Sequence, residues 1–374
     1  MKTNSYIRAL NEIGQSVWYD NLSKDVLVSG KLESYIEAGV SGLTSNPTIF
    51  KKAIADTSLY DGDISTIARR INSAESVCDE LMRADVAQAA DLLRDTYERT
   101  HGLDGFASIE VSPLLANDTA KTVDEAKRIW NLLSRPNIMI KIPATEAGIP
   151  AIAECLEAGI NVNVTLIFSV EFYDRVIGAY QEAIRKRILK KGDVKKVASV
   201  ASFFVSRVDV IVEKAISDLV ARGALAKDKA DVFTAQIGIA NSKMAYDLFL
   251  KRFGQSFADA RQHGAQVQRP LWASTGVKSP SLKEVYYVEA LAGNQTVNTM
   301  PPSTLDALLR DAVINDALEG SGDAEKLLSD LAGCGIDLEG LLTQLQLEGV
   351  QSFEQSYRDL LAAVQNKMDG LNTK

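Results

Sequence analysis

Eight short apolar, β-branched runs recur along this chain, and longer segments with helical spacing separate them. This alternation constrains the fold more than any other feature. The runs are SVWYD (16–20), VSGLTS (40–45), FASIEVS (106–112), NIMIKIP (137–143), NVNVTLIF (161–168), VASVASF (197–203), PLWAST (270–275) and TVNTM (296–300). Strand, helix, strand, helix through most of a chain implies a parallel sheet. Eight such units predict an α/β fold of the closed (β/α)8 TIM-barrel kind, whose sheet has no exposed edge. An open doubly wound sheet is the alternative. It would normally carry a glycine-rich first turn, and none is present.

Helical patterns fill the gaps, for example at 151–158, 170–187, 205–222 and 226–249. The gaps at 50–105 and 204–268 are too long for one helix each, so each is expected to hold two. Beyond about 303, DAEKLLSDL and SFEQSYRDLLAAVQNKM again show helical spacing. No Pro/Gly/Ser-rich linker and no internal repeat interrupts the chain. The expectation is a single domain over 1–374, with a barrel core at about 15–302 and a C-terminal helical extension at about 303–374.

Composition serves mainly to exclude. A net charge of −8 lacks the basic excess of a general nucleic-acid binder. Local positive groups on an acidic protein can still bind anionic sugars. No apolar run approaches the ~20 residues of a membrane span, and MKTNSYIRALNEIGQ has no apolar core of the secretory kind. Three cysteines, Cys78, Cys155 and Cys334, without a CxxC spacing point to a reducing compartment. A cytoplasmic protein is expected. The two histidines, His101 and His263, have no metal-ligand spacing, and GxGxxG, GxxxxGK[ST] and HExxH are all absent. Nucleotide cofactors and His-rich metal sites are therefore not expected, and the chemistry falls to Lys, Asp, Glu, Ser, Thr or Asn.

Alternation along the strands shows where those residues go. In NVNVTLIF, Val162, Val164, Leu166 and Phe168 share one face, and Asn161, Asn163, Thr165 and Ile167 share the other. The face that packs on helices must be apolar, so the polar face points into the barrel. By the same reasoning Ser108, Glu110 and Ser112 point inward, as do Met139, Lys141 and Pro143. Asp20 closes the first strand, and Gly42, Thr44 and Asn46 share a face near the end of the second. An unpaired buried polar group costs roughly 1–3 kcal/mol, and an unpaired charge more. Several such groups together are economically explained as a hydrogen-bonded reaction site at the C-terminal face.

Lys141 is central. It lies between isoleucines, where burial disfavours the ammonium form, and a neutral amine is what Schiff-base formation on a carbonyl substrate requires. The other reading is a lysine near a strand end that snorkels to water. Asp20, Glu110, Asn163 and Thr165 favour catalysis, because Schiff-base chemistry needs several proton transfers. Arg207 falls where the sixth strand turns into a helix, with Ser202 five residues before it. An arginine fork at a helix start suits a phosphate; a surface pair with Asp209 is the bland alternative. Lys278, after WASTG, is a second candidate phosphate contact.

The segments LTSNPTIF, IEVSP, IMIKIPAT, NVNVTLIFS, ASFFVSRVD, RPLWASTGVK and TVNTMPPSTL closely resemble transaldolase motifs, in the family's order, over roughly residues 15–305. The pattern is most similar to the longer bacterial transaldolases. The resemblance implies a class I aldolase-type barrel with its Schiff-base lysine on strand four, here Lys141. It implies transfer of a dihydroxyacetone unit from a ketose phosphate (sedoheptulose 7-phosphate or fructose 6-phosphate) to an aldose phosphate (glyceraldehyde 3-phosphate or erythrose 4-phosphate). That is a step of the non-oxidative pentose phosphate pathway, and the implied Schiff-base mechanism requires neither metal nor organic cofactor. Asp20 would handle proton transfer during carbon–carbon cleavage, and Glu110 and Thr165 would act through a bound water. Asn46 and Asn163 would hydrogen-bond the dihydroxyacetone hydroxyls, Ser202 and Arg207 would hold the phosphate, and Thr44 is a further candidate substrate-binding residue. Phe204 stands where transaldolases carry Phe and the related fructose 6-phosphate aldolases carry Tyr, which favours transfer over simple cleavage. Short transaldolases have an arginine after strand seven. Lys278 stands there instead, a point charge in place of a bidentate fork. Sugar phosphates are thus the expected partners of a monomer or homodimer that binds neither nucleic acid nor membrane. A plain aldolase of the same fold and a catalytically silent sugar-phosphate-binding barrel are the rival readings.

Overall fold

The computed structural model describes residues 3–318, 320 and 322–372. Eight strands form: β1 Gln15–Tyr19, β2 Gly42–Leu43, β3 Phe106–Glu110, β4 Ile138–Pro143, β5 Val162–Ile167, β6 Ser199–Phe204, β7 Arg269–Ala273 and β8 Thr296–Met300. They close in sequence order into one barrel, with every neighbouring pair parallel. Closure removes the open-sheet alternative, and all eight expected strands are present.

The barrel has two apolar layers with different tasks. Outward residues such as Ile109, Ile140, Val164, Phe203 and Trp272 are buried in the packing between sheet and helices. Inward residues Trp18, Phe106, Met139, Val200, Leu271 and Val297 plug the barrel's lower half. Gly42 is required by that plug. A Cβ there would lie 2.6 Å from the Trp18 ring. Below the plug, Arg269 and Asp104 form a buried ion pair at 3.1 Å. Asp104 also accepts hydrogen bonds from Ser16 Oγ at 2.6 Å and Trp18 Nε1 at 2.8 Å. The polar residues above the plug are the candidates for chemistry.

Simple alternation fails at one place. Leu166 adopts φ +59°, and the β5–β6 register slips between Val164 and Ile167. One extra residue is thereby inserted, as in a β-bulge, and the side chains beyond it change faces. Ile167, rather than Leu166, continues the outward face of Val162 and Val164, while Leu166 and Phe168 join the inner cluster. This corrects the facing expected for Leu166, Ile167 and Phe168.

The long gaps hold more pieces than expected. Residues 50–105 contain the end of helix Pro47–Ala55 and three further helices, Asp61–Ala68, Ala74–Leu92 and Arg94–Arg99. The 226–249 pattern is split into Lys227–Asp231 and Ile237–Arg252, with Ala235 at φ +54° in the break. Asp209 stabilises that break from outside by accepting the Gly238 N–H at 2.7 Å.

After β8 come helices Pro302–Leu308, Gly322–Gly333 and Leu338–Asn372. The last is 35 residues long, about 50 Å at 1.5 Å per residue. It crosses the C-terminal end of the barrel. Its Gln346 donates to the Ala144 carbonyl beyond β4 at 2.6 Å, Ser356 bonds Thr48 at 2.8 Å, and Lys367 donates to the Thr57 carbonyl at 2.7 Å. Among the described residues no helix is long and apolar enough to cross a membrane.

Candidate active site

A cavity of about 690 Å³ opens at the C-terminal ends of the strands. Its size suits a small-molecule ligand, and its position is the one barrel enzymes use. Asp20, Thr44, Asn46, Lys141, Thr165, Ser202, Phe204, Arg207 and Lys278 all line it. Nine of the eleven candidate residues, drawn from the ends of six strands and the segments that follow them, therefore meet in one space. Glu110 and Asn163 are not on its wall. They flank Lys141 in the ladder, Glu110 opposite it on β3 and Asn163 opposite it on β5.

Lys141 is 4% exposed. Its Nζ donates to the Ser45 carbonyl at 3.2 Å, and it forms no ion pair among the described residues. The snorkelling alternative is removed by this burial. Glu110 is fully enclosed, and burial pushes its carboxyl up to about 7; Lys141 pulls the other way and Asp20 reinforces the rise. Among the described residues its Oε2 has no hydrogen-bond partner, and neither does the buried Thr165 Oγ1. Two orphaned polar atoms beside a buried lysine are the kind of gap a bound water fills.

Asp20 follows β1 directly, its backbone N–H held by the Met300 carbonyl at 2.8 Å. Thr44 donates to Asp20 Oδ1 at 2.6 Å, and Thr299 in turn donates to Thr44 Oγ1 at 2.8 Å. That chain fixes the carboxylate's orientation. Asn46 caps helix Pro47–Ala55 by accepting the Ile49 N–H at 3.0 Å, with Pro47 preset for the first helical position. Its side-chain NH2 is left without a partner among the described residues, beside the cavity. Asn163 is committed internally. It donates to Ser108 at 3.1 Å and accepts from Ser202 at 2.7 Å.

Arg207 begins helix Ser206–Ala221, whose first turn has no side-chain cap. Its guanidinium lies 5.2 Å from the centre of the Phe204 ring. Burial pulls it below its ordinary value while Asp20 acts in the opposite direction. Among the described residues it has no hydrogen bond and no ion pair. Asp209 is not its partner, because it accepts from Gly238 and from Tyr287 at 2.7 Å. A half-buried cation with no ion pair among the described residues, near an uncapped helix start, can hold an anion. Lys278 is exposed at the cavity's rim in the loop after β7.

A profile of the Transaldolase/Fructose-6-phosphate aldolase family matches residues 17–364. The chain belongs to that family. It is 43% identical over 373 residues to a transaldolase of Mycobacterium leprae, covering 98% of each chain. It is 40% identical over 372 residues to transaldolase 2 of Nostoc sp., covering 97% of this chain and 98% of that one. It is 41% identical to a transaldolase of Mycolicibacterium smegmatis, covering 99% of each. Transaldolase activity, a transferase reaction, goes with this membership and full-length likeness.

Sequence reasoning missed several residues of the transaldolase-family site. Alternation places Ser108 inward without giving it a role, and Thr299, at an inward position of β8, was findable the same way. The Ser45 carbonyl was not, since a backbone acceptor has no sequence signal. Phe353, from helix Leu338–Asn372, lines the cavity from outside the barrel, and nothing local in SFEQSYRDL marks it.

Proposed function

We propose that Lys141 is the Schiff-base nucleophile for transfer of a dihydroxyacetone unit between sugar phosphates. Its burial beside Glu110, facing the same cavity as Asp20 and with no ion pair among the described residues, carries this reading. A lysine so placed can shed its proton to Glu110, whose raised affinity for protons suits a group that gives and takes them near neutrality. The amine attacks C2 of fructose 6-phosphate or sedoheptulose 7-phosphate. A water held by Glu110 and Thr165 serves carbinolamine formation and dehydration.

The protonated imine is an electron sink. Asp20, oriented by Thr44, takes the C4 hydroxyl proton as the C3–C4 bond breaks, and an aldose phosphate leaves. Asn46 offers its free NH2 to the bound three-carbon unit. Asn163 and Ser202 fix the wall beneath that unit. Arg207, with Lys278 at the rim, holds the phosphate. An acceptor such as erythrose 4-phosphate or glyceraldehyde 3-phosphate then enters and the steps reverse, giving ping-pong kinetics. We read the chain as one domain acting in the cytoplasm as a monomer or homodimer. The free cysteines, Cys78 and Cys155 buried and Cys334 partly so, agree with that compartment.

The test is borohydride reduction in the presence of fructose 6-phosphate, followed by peptide mass spectrometry. A reduced three-carbon adduct is expected on Lys141, with none in Lys141→Ala. Turnover retained by Lys141→Ala would overturn the assignment. A plain aldolase would release dihydroxyacetone steadily without acceptor, and Phe204 favours transfer over that outcome.

A further inference from the structure

The bound enamine has two fates. It can attack an acceptor aldehyde, or it can be lost to water. In the second, water supplies the C2 oxygen, C3 gains a proton, the C2–N bond breaks and Nζ regains a hydrogen, so free dihydroxyacetone leaves. What keeps water from the enamine therefore decides whether the chain transfers or merely cleaves. The barrel strands do not finish that enclosure by themselves, because the cavity has a wall that belongs to another element.

Phe353 supplies it. The residue is 5% exposed, lines the cavity, and lies on helix Leu338–Asn372, outside the barrel. Its helix comes unusually close to the strand ends one turn earlier. A Cβ on Gly349 would lie 3.0 Å from Leu166 Cδ2 and 3.7 Å from Phe168. Residues four apart share a helix face, so Gly349 lets the helix settle low enough for Phe353 to reach the cavity. The surface it settles on exists because of the β5 slip, which takes Leu166 and Phe168 off the face of Val162 and Val164 and into the cluster shared with Val350 and Phe353. Phe168 packs at 5.0 Å on Phe204, the other aromatic wall. Polar anchors bracket Phe353: Gln346 to the Ala144 carbonyl on one side, and Ser356 to Thr48 and Asp359 to Lys51 on the other.

We propose that Phe353 is a specificity-determining residue that excludes water from the Lys141 adduct and so sets the ratio of transfer to hydrolysis. This rests on the Schiff-base reading above. A ring at this place contributes no donor or acceptor, so its effect falls on water access and not on the proton transfers of Asp20 or Glu110.

The experiment compares wild type, Phe353→Ala and Phe353→Leu in the full chain. It measures free dihydroxyacetone released per aldose phosphate transferred at saturating acceptor, with circular dichroism as the check on folding. Borohydride trapping is run on all three. The expectation is an intact adduct on Lys141 in each, a release-to-transfer ratio about tenfold higher in Phe353→Ala, the equivalent of ~1.4 kcal/mol, and a ratio near wild type in Phe353→Leu. Should Phe353→Ala not fold, Gly349→Ala lifts the same helix while leaving the ring, and the ratio should rise there too. An unchanged ratio in a folded variant that traps normally would overturn the proposal. Absence of the adduct in wild type would instead overturn the Schiff-base reading itself.

Discussion

Glu110→Gln isolates one ionisation with a calculable effect. Burial raises the carboxyl from 4.5 to about 7. Each unit of such a rise corresponds to about 1.36 kcal/mol. The folded state therefore binds the Glu110 proton more tightly than the unfolded chain does. Stability from this group is fully present below about 4.5 and is lost as pH rises to about 7. Ionised Glu110 then costs the fold about 3 kcal/mol at pH 8. Glutamine keeps the shape and has no proton to lose, so the variant escapes that loss. At about 2.1 cal/mol/K of unfolding entropy per residue, 3 kcal/mol corresponds to about 4 °C. Thermal melts of both proteins at steps between pH 4.5 and 8 should coincide at the acid end. The Tm of Glu110→Gln should rise about 4 °C above wild type at the alkaline end. Titrating groups that do not act on Glu110 are common to both and cancel in the difference, while Lys141 and Asp20 are part of the effect measured. A difference that stayed flat with pH would mean that Glu110 is not shifted by its enclosure, and its assigned role near neutrality would fall with that.

Arg207→Ala removes the unpaired cation at the start of helix Ser206–Ala221, so KM for phosphorylated ketoses should rise at least about tenfold with a smaller change in kcat, since hydrogen bonds to charged groups contribute about 1.5–3 kcal/mol; steady-state kinetics showing an unchanged KM would contradict the anion site. Arg269→Ala strands the Asp104 carboxylate, which is 6% exposed, at the far end of the barrel. It should destabilise by about 3–5 kcal/mol, roughly 4–6 °C in a thermal melt, while activity at low temperature is kept.

Much of this site was legible because a strand's period of two is rigid. Once Ile109, Ile140 and Val164 are assigned to the helix-covered face, Glu110, Lys141 and Asn163 have nowhere to point but inward, and the structure puts them in register. The same rule misplaced Leu166 and Phe168, because a single left-handed residue shifts the count and no glycine announces it. The break within 226–249 was hidden in a similar way, since VFTAQ continues a helical pattern that the Asp209 hydrogen bond to Gly238 interrupts from a distant element. Arg207 was legible as a cation at a helix start. That it lacks a partner was not, because Asp209 lies two residues away and only the fold shows it engaged with Tyr287. The role of the last helix depends wholly on where it lands. Thr48 and Ser356 are 308 residues apart in sequence.

That separation has a consequence for synthesis. Chain growth is directional, and all eight strands leave the ribosome before the helix that carries Phe353. A nascent chain can therefore hold a finished barrel whose catalytic mouth is still unroofed, with Leu166, Phe168 and Phe204 bare to water and to other chains. The emergence of helix Leu338–Asn372 is then the moment at which the barrel's mouth acquires its last packing surface.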